Sequence, residues 1–489
     1  MNTAARDAGL KLLREHAFIA GEAIPAGADG IAVDDPATGE IIGHIPNLGV
    51  PDVERAIQAA HDAFPDWSRS DPHARARFLR DWARLIDENT EGLGALMALE
   101  NGKPLDEARG EVAYANSFIT WFAGEAERII GETQDSPLGH VILTFREAVG
   151  PCALITPWNF PAAMLTRKLG PAFAAGCTAV VKPASQTPFT AIALAELAYR
   201  AGLPRGALSV VTGDAATIGG VLTASPLIRK LSFTGSTPVG RKLAEQCAPT
   251  LKRVSMELGG AAPLIVFEDA DLDLAVAETI RGKFRNAGQT CVCPNRIYVQ
   301  ASVAGAYASK LAEAVSRIPV GPAFEDGVKV GPLIEDKAIA KVEDHLKRVR
   351  ASGGQVLTGG ARHALGGRFF QPTVTLGGDD ELFRHEETFG PLIPVFPFET
   401  EAEALGKAND SEFGLASYLF TRDLDRAMRI GRRIEAGMIG INTGILSTAV
   451  APFGGVKQSG YGREGSIHGL DEYVDIKQVT LALKQGAPT

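Results

Sequence analysis

Short apolar runs alternate with longer helical stretches through most of the chain, and this alternation limits the folds open to it. Between residues 148 and 235, four strand-like runs are separated by helical segments such as residues 190–202. Strands that alternate with helices of ten or more residues are typical of βαβ units built around a parallel sheet. The pattern therefore predicts an α/β fold.

A second alternating set begins near residue 264 and meets the first set around residues 255–260. Its strand candidates are residues 263–267, 296–300, 416–420 and 438–442. We therefore expect two α/β domains, each with a parallel sheet. Ahead of both sets, residues 52–130 carry apolar side chains at helical spacing and are predicted to be helical.

Two further segments, residues 137–147 and 466–489, contain alternating strand-like pieces that have no obvious partner nearby in the sequence. Such strands often serve as sheet edges that pair with another subunit. We predict that they form a small β extension used for oligomerisation.

Charge and cysteine content narrow the possible partners and the compartment. The net charge is −9, whereas nucleic acids and anionic membranes need a basic face, so neither is expected as a partner. A small anionic substrate is compatible with this charge. Five cysteines favour reactive or buried thiols in a reducing compartment over a disulfide scaffold. The charged start of the chain and the shortness of its longest apolar run, residues 169–181, predict a cytoplasmic protein.

The turn after the strand candidate at residues 228–235 is a candidate phosphate site. The fingerprint G-x-G-x-x-G is absent after every strand candidate, and residues 235–242 lack the lysine and hydroxyl positions of a P-loop. A helix from about Pro238 has free N–H groups that suit a pyrophosphate, although an ordinary βα turn has the same pattern. Lys182, at the end of another strand, could hold a ribose or phosphate or lie in a surface loop.

Two cysteines one residue apart, Cys291 and Cys293, lie in the amide-rich turn at residues 284–295. A zinc site is unfavourable, because no histidine is near and no second cysteine pair follows. Buried packing and a nucleophile are the alternatives, and the tight polar turn favours a nucleophile. Glu257 at a strand end is the candidate base. Asn159, in a turn with two prolines, is either an oxyanion donor or part of a structural turn.

Six motifs, taken in order, resemble those of the aldehyde dehydrogenase superfamily. They are ITPWNFP, VKPASQTP, SFTGS, MELGG, FRNAGQTC and EETFGP. The resemblance extends from about Phe18 to Lys484 and is strongest to the succinate-semialdehyde dehydrogenases. It implies NAD(P)-dependent oxidation of succinate semialdehyde to succinate, with glutarate semialdehyde or a broader set of aldehydes as the alternative. The dinucleotide fold of this family does not use G-x-G-x-x-G, which accounts for the missing fingerprint.

The resemblance also implies a division of the chain. A Rossmann-like NAD(P)-binding domain is expected at residues 1–136 and 148–256, and a catalytic domain at residues 257–465. Residues 137–147 and 466–489 are expected to be the oligomerisation strands of a homodimer or homotetramer.

Three residues receive catalytic roles from the resemblance. Cys291 is the nucleophile that forms a thiohemiacetal with the aldehyde and then a thioester. Glu257 is the general base that activates water to hydrolyse the thioester. The side-chain amide of Asn159, together with the backbone N–H of Cys291, holds the oxyanion.

The cofactor residues that the resemblance implies come from several of the motifs. Lys182 and Ser185 face the adenosine ribose, and Glu387 holds the nicotinamide ribose. Since Ser185 does not repel a 2′-phosphate and Lys182 is close to it, we predict NADP as the preferred cofactor, with NAD usable. The predicted set is Thr156, Pro157, Trp158, Lys182, Pro183, Ala184, Ser185, Gly213, Phe233, Thr234, Gly235, Ser236, Val239, Leu258, Gly259, Glu387 and Phe389.

Substrate recognition is expected to depend on local cations, because a semialdehyde carries a carboxylate at its far end. Arg167, Arg285 and Ser447 match the carboxylate-binding residues of succinate-semialdehyde dehydrogenases. The alternative is that either arginine is a structural residue in a salt bridge. Glutarate semialdehyde is one methylene longer, and a single methylene separates substrates only weakly.

Cys293 is left with two interpretations. A disulfide with Cys291 would be strained and reducible, and it would switch the enzyme off. Alternatively, Cys293 only packs in the interior.

Overall fold

The computed structural model describes residues 2–482. The last seven residues of the predicted oligomerisation segment, from 483 onward, lie outside the described residues. The helices of the described chain are α1 (Thr3–Leu12), α2 (Val50–Ser68), α3 (Pro72–Glu88), α4 (Thr90–Asn101), α5 (Leu105–Ala126), α6 (Ala163–Ala175), α7 (Phe189–Arg200), α8 (Ala215–Ala224), α9 (Thr237–Cys247), α10 (Leu272–Lys283), α11 (Ala301–Ser316), α12 (Asp336–Ala351), α13 (Glu381–His385), α14 (Glu401–Asn409), α15 (Leu424–Gly431) and α16 (Ser466–Asp471).

The strands form two large sheets and three small ones. They are β1 (His16–Ile19), β2 (Glu22–Pro25), β3 (Ile31–Asp34), β4 (Ile41–Ile45), β5 (Thr133–Asp135), β6 (Val141–Ala148), β7 (Cys152–Ile155), β8 (Ala179–Lys182), β9 (Leu208–Val210), β10 (Lys230–Thr234), β11 (Arg253–Glu257), β12 (Pro263–Val266), β13 (Arg296–Gln300), β14 (Gln355–Thr358), β15 (Thr373–Leu376), β16 (Leu392–Phe398), β17 (Phe413–Gly414), β18 (Ala416–Phe420), β19 (Met438–Ile441), β20 (Val456–Lys457), β21 (Gly460–Tyr461) and β22 (Val474–Leu481).

The first large sheet has the order β2-β1-β9-β8-β7-β10-β11-β21. Its five central strands are parallel. Helices α6 to α9 connect them, as the alternating pattern predicted, and the strands are apolar because both faces are covered. The outer strands β1, β2 and β21 run antiparallel to their neighbours.

The second large sheet has the order β14-β15-β16-β13-β12-β18-β19. Every neighbouring pair is parallel except β14 with β15. The four strands predicted from residue 263 onward are all present as β12, β13, β18 and β19. The prediction of an α/β fold with two parallel sheets is confirmed.

The two isolated strand-like pieces of the sequence pair with each other. Val474 to Leu481 runs antiparallel to Val141 to Ala148 over eight residue pairs, and β5 covers the other edge of β6. Several apolar side chains on this three-stranded sheet face solvent, including Ile476, which is 72% exposed. The oligomerisation role of these strands stays a prediction, as do the domain boundaries.

The largest apolar cluster lies among α3 to α7. Trp82 is fully buried there and packs at 6.0 Å against both Phe78 and Phe173, measured between ring centroids. Its indole N–H donates to the carbonyl of Leu194 at 3.1 Å. No helix among residues 2–482 combines the length and apolar content that a bilayer crossing requires.

Replacing Trp82 tests whether this cluster sustains the fold. Trp82→Ala removes a buried aromatic side chain and its hydrogen bond, and we expect a loss of about 3–5 kcal/mol in the free energy of unfolding. Leu251→Ala is the matched surface control, since Leu251 is 92% exposed, and it should change stability by less than about 0.5 kcal/mol. Urea unfolding followed by circular dichroism measures both; equal midpoints for the two variants would contradict the expectation.

Candidate active site

A pocket of about 390 Å³ opens at the carboxyl ends of β7, β10 and β11. Ligands of open α/β sheets bind at this edge, in the crevice outside the carboxyl ends of the strands. The part of the chain that forms the second large sheet closes the pocket. It contributes Cys291, a segment around Glu387 and the start of α12. The lining residues are Pro157, Trp158, Asn159, Met164, Thr234, Gly235, Ser236, Glu257, Leu258, Gly259, Cys291, Ile334, Glu335, Lys337, Ala338, Lys341, Glu387, Thr388 and Phe389.

The loop that presents Cys291 leaves α10 in an unusual backbone conformation. Asn286 and Ala287 have φ values of 48° and 56°, and Gly288 follows at 80°. A side chain at Gly288 would place its Cβ 2.3 Å from the carbonyl oxygen of Gly390, so only glycine fits there. Strained backbone of this kind collects at functional sites, and here it places Cys291 in the pocket wall.

The thiol of Cys291 is not ionised by its surroundings. Burial raises its pKa to about 12; the carboxyl groups of Glu387 and Glu257 act in the same direction, while Arg167 opposes them. A nucleophilic thiolate at neutral pH therefore requires a base that removes the proton as the reaction occurs.

Glu257 ends strand β11 and lies in the same pocket, 4% exposed. Burial, together with the nearby Glu464 carboxylate, raises the pKa of its carboxyl well above the usual range; Lys168 and Arg167 oppose this shift. Its Oε2 atom has no hydrogen-bond partner within the described residues. A carboxylate with a raised pKa accepts a proton more readily than an exposed one, and the free oxygen of Glu257 is available to a proton donor.

Asn159 links the two loops that meet in the pocket. Its Oδ1 accepts from the N–H of Phe160 at 3.1 Å, and its Nδ2 donates to the carbonyl of Gln289 at 3.0 Å. The amide is therefore held in one orientation, and the second hydrogen of Nδ2 is left for another acceptor. The structure thus brings Asn159, Glu257 and Cys291 to one pocket, as their predicted roles require.

The predicted cofactor residues divide into two groups. Nine of them line the pocket at Cys291: Pro157, Trp158, Thr234, Gly235, Ser236, Leu258, Gly259, Glu387 and Phe389. The other eight lie outside that pocket, directly after β7, at or after the ends of the neighbouring strands β8 to β10 and on α9: Thr156, Lys182, Pro183, Ala184, Ser185, Gly213, Phe233 and Val239.

Features of this strand edge fit a dinucleotide. Ser236 precedes α9 without capping it through its side chain, so the first N–H groups of the helix keep their capacity to bind a phosphate. Gly235 lies so close to the ring of Phe233 that a Cβ would be 2.5 Å from it. Burial lowers the pKa of Lys182 to about 8, which the carboxylate of Asp214 partly offsets, and its Nζ donates to the Pro183 carbonyl at 3.0 Å.

The three predicted substrate residues do not line the pocket at Cys291, and their surroundings differ. Arg167 is buried; its guanidinium donates to the Tyr114 hydroxyl at 2.5 Å and lies 3.4 Å from a carboxylate oxygen of Glu464. Arg285 lies with its guanidinium carbon 5.2 Å from the centre of the Phe160 ring, and it forms no salt bridge within residues 2–482. Ser447 is partly exposed in a loop without regular structure.

Cys293, two residues after Cys291, is buried. Its thiol is 3.3 Å from the Gly288 carbonyl, and Lys283 Nζ approaches its sulfur at 3.7 Å. All five cysteines are free thiols. Both interpretations of Cys293 stay open.

Sequence reasoning missed two lysines that line the pocket, Lys337 and Lys341, both on α12. Burial raises the pKa of Glu387 to about 8, and the Lys341 ammonium opposes that shift. The sequence of α12 has the pattern of an ordinary amphipathic surface helix. Only the four-residue spacing of the two lysines, which places them on one face of the helix, could have indicated a site. Within the described chain, no group of three or more His, Cys, Asp or Glu side chains is arranged to hold a metal ion.

Comparison with known proteins gives concordant matches over nearly the whole chain. A family model described as "Aldehyde dehydrogenase family" matches residues 24–479. Glutarate-semialdehyde dehydrogenase of Pseudomonas aeruginosa is 53% identical over 96% of this chain and 98% of its own length. Succinate-semialdehyde dehydrogenase [NADP(+)] of Escherichia coli is 52% identical over the same shares. The crystal structure of succinate-semialdehyde dehydrogenase from Burkholderia pseudomallei superposes with a TM-score of 0.95 at 53% identity, covering 97% of this chain and 99% of that one.

The raised pKa of Cys291 predicts how its alkylation depends on pH. Below a pKa of about 12 the thiolate fraction rises about tenfold per pH unit. We therefore expect the rate of iodoacetamide labelling at Cys291, followed by peptide mapping, to rise steeply from pH 7 to pH 9. Buried Cys247 serves as an internal control that should label slowly throughout. A flat profile at Cys291 would mean that the thiolate exists beforehand.

Proposed function

The chain belongs to the aldehyde dehydrogenase family, and on that premise we propose that it oxidises succinate semialdehyde to succinate with NADP as the preferred cofactor. As a member of this family it is an oxidoreductase that acts on aldehydes. The observation that carries the proposal is the meeting of Cys291, Glu257 and Asn159 in one pocket, with the guanidinium of Arg285 free of any salt bridge in the described chain.

The first chemical task falls to Cys291. Its thiol loses a proton to Glu257, directly or through water, and the sulfur adds to the aldehyde carbon. The carbonyl oxygen becomes an oxyanion, which the free hydrogen of Asn159 Nδ2 and the Cys291 N–H stabilise. Donors held in place before the reaction stabilise such charge without reorganising. Asn159 meets this condition, because its amide is fixed by hydrogen bonds at both ends.

A bound nicotinamide ring supplies the acceptor for the hydride that leaves the substrate carbon. The N–H groups at the start of α9 would hold the pyrophosphate, and Lys182 with Ser185 the adenosine ribose. Leu258, Glu387 and Phe389 would hold the nicotinamide half. The chain's own task is to keep the thiohemiacetal carbon facing that half and to exclude bulk water.

The second task of Glu257 is hydrolysis of the thioester on Cys291. Its carboxylate takes a proton from water, the hydroxide adds to the thioester carbon, and the C–S bond breaks to release the acid. Burial raises the pKa of the Glu257 carboxyl, and a more basic carboxylate takes a proton from water more readily.

The two arginines, Arg285 and Arg167, are the basis for the proposed choice of substrate. The Arg285 guanidinium forms no salt bridge in the described chain, lies over the ring of Phe160 and can present two N–H groups to a carboxylate. Arg167 is partly neutralised by Glu464. The relatives named above act on succinate or glutarate semialdehyde, and both substrates carry a terminal carboxylate. Glutarate semialdehyde is the alternative, because one methylene changes selectivity only weakly.

The preference for NADP rests on the residues beside the adenosine ribose. Ser185 brings no negative charge, and the buried Lys182 at the end of β8 is three residues away in the sequence. The relative from Escherichia coli is named for NADP(+). NAD remains usable, since nothing in these residues excludes a 2′-hydroxyl.

Assembly into a homodimer or homotetramer is proposed through the sheet of β5, β6 and β22. The free edge of β22 and exposed Ile476 and Phe145 offer another copy both backbone hydrogen bonds and apolar contact. Residues 1–136 with 148–256 are proposed as the cofactor domain, and residues 257–465 as the catalytic domain.

Glu257→Gln tests the base. The amide cannot take a proton, so we expect kcat to fall by about 10²–10⁴-fold. Glu343→Gln is the control, because Glu343 is an exposed acid that pairs with Arg362 and does not line the pocket. The assay follows reduced-cofactor absorbance with aldehyde and cofactor together. Retention of full turnover by Glu257→Gln would remove this residue from the mechanism.

Arg285→Ala tests the carboxylate site. Initial rates are compared for succinate semialdehyde, glutarate semialdehyde and butyraldehyde, with NADP and then NAD. We expect kcat/KM of the variant to fall about 10–100-fold for the two acids, because a hydrogen bond to a charged group contributes a free energy of that size. For butyraldehyde, kcat/KM should change little. Arg281→Ala, exposed on the preceding helix, is the matched control. If wild type uses butyraldehyde equally well, the function is that of a general aldehyde dehydrogenase.

A further inference from the structure

We propose that the junction of α4 and α5, with the buried ion pair Lys103–Glu111, positions Asn159 for oxyanion stabilisation. The inference rests on the proposed function. Neither side chain lines the pocket at Cys291, so both are positioning residues rather than groups that touch the substrate.

The ion pair is hydrogen-bonded to the backbone of the turn that contains Asn159. Lys103 Nζ donates to the carbonyl of Asn159 at 2.8 Å and also to Glu111. The other oxygen of Glu111 accepts from the N–H groups of Ala162 and Ala163 at 3.0 and 3.2 Å. The pair therefore connects the backbone of the oxyanion donor to the first turn of α6.

The residues before Lys103 extend this support. Asn101 Nδ2 donates to the carbonyl of Trp158 at 3.0 Å. Gly102, between the two donors, has a φ of 82° and ends α4 in a left-handed conformation. That reversal lets Asn101 and Lys103 reach two consecutive carbonyls of the turn.

The same helix also holds the loop of the nucleophile. Asn286 donates through its backbone N–H to Glu107 at 2.7 Å and through its Nδ2 to the Asn159 carbonyl at 2.9 Å. Glu107 and Glu111 are four residues apart, so they share one face of α5. One helix face thus sets the position of Asn159 relative to the loop that carries Cys291.

The burial of this ion pair favours a role in positioning Asn159 over a role in stability alone. Lys103 and Glu111 have side chains that are 0% and 1% exposed. Burying two charges costs much of what their attraction returns, and apolar residues of similar size often stabilise a fold equally well. This charged pair makes three directed hydrogen bonds: Lys103 donates to the carbonyl of Asn159, and Glu111 accepts from the N–H groups of Ala162 and Ala163. A displacement of about 1 Å in a catalytic group can reduce turnover about 100-fold.

A double-mutant cycle in the full chain tests the proposal. The variant Lys103→Met/Glu111→Gln removes both charges while keeping similar volume. The cycle compares it in the wild-type and Asn159→Ala backgrounds, with succinate semialdehyde and NADP. Lys230→Met/Glu472→Gln is the matched control, because Lys230 is an equally buried lysine in an ion pair at the opposite end of β10.

If the pair acts through Asn159, kcat falls about 10–100-fold in the wild-type background, with KM changed less than about twofold. In the Asn159→Ala background the same variant should change kcat by less than about twofold, because sites coupled in one network are not additive. The alkylation rate of Cys291 should stay unchanged, which shows that the nucleophile loop is intact. Should the double variant fail to fold, Glu111→Gln takes its place in the cycle.

Equal losses in both backgrounds would overturn the proposal, as would an equal loss in the control or no loss at all. These outcomes are separate from failure of the proposed function, in which wild type itself would reduce neither cofactor with any of the aldehydes.

Discussion

The parallel arrangement of the central strands of the first sheet is the constraint on which the rest of the structure depends. Parallel strands end at the same edge, so the loops after β7, β8, β10 and β11 are neighbours although they are far apart in sequence. Asn159, Lys182, Ser236 and Glu257 all belong to that edge. The second sheet contributes the loop of Cys291, and hydrogen bonds of Asn159 with Gln289 and Asn286 join the two contributions.

Water exclusion governs the chemistry of the pocket. Burial raises the pKa of Cys291, Glu257 and Glu387 alike, so each of these groups gives up its proton less readily than it would in water. The neighbouring cations Arg167, Lys168 and Lys341 moderate the shifts without forming an ion pair with the thiol. A carboxylate whose pKa is raised in this way accepts a proton more readily, which suits the proton transfers proposed for Glu257.

The sequence predicted the catalytic residues of the site better than the buried residues that position them. Cys291, Glu257 and Asn159 lie in short motifs whose local backbone is specified by glycine and proline, so their placement could be read locally. Lys103 and Glu111 lie in ordinary helical sequence and become a pair only through packing. Strand β16 was missed because Pro394 and Pro397 interrupt an apolar run, although β16 is buried. Arg167 was recognised, but its neutralisation by Glu464, almost three hundred residues later, has no local signal.

The pairing of late residues with early strands has a consequence for synthesis of the chain. Gly460 and Tyr461 form the last strand of the first sheet against β11, and β22 pairs with β6, more than three hundred residues before it. Lys168 in α6 likewise meets Glu464. Domains usually fold in order as they leave the ribosome. Here the amino-terminal sheet stays open at one edge until the carboxyl-terminal residues emerge, so a ribosome-bound chain has exposed strand edges that chaperones would have to shield.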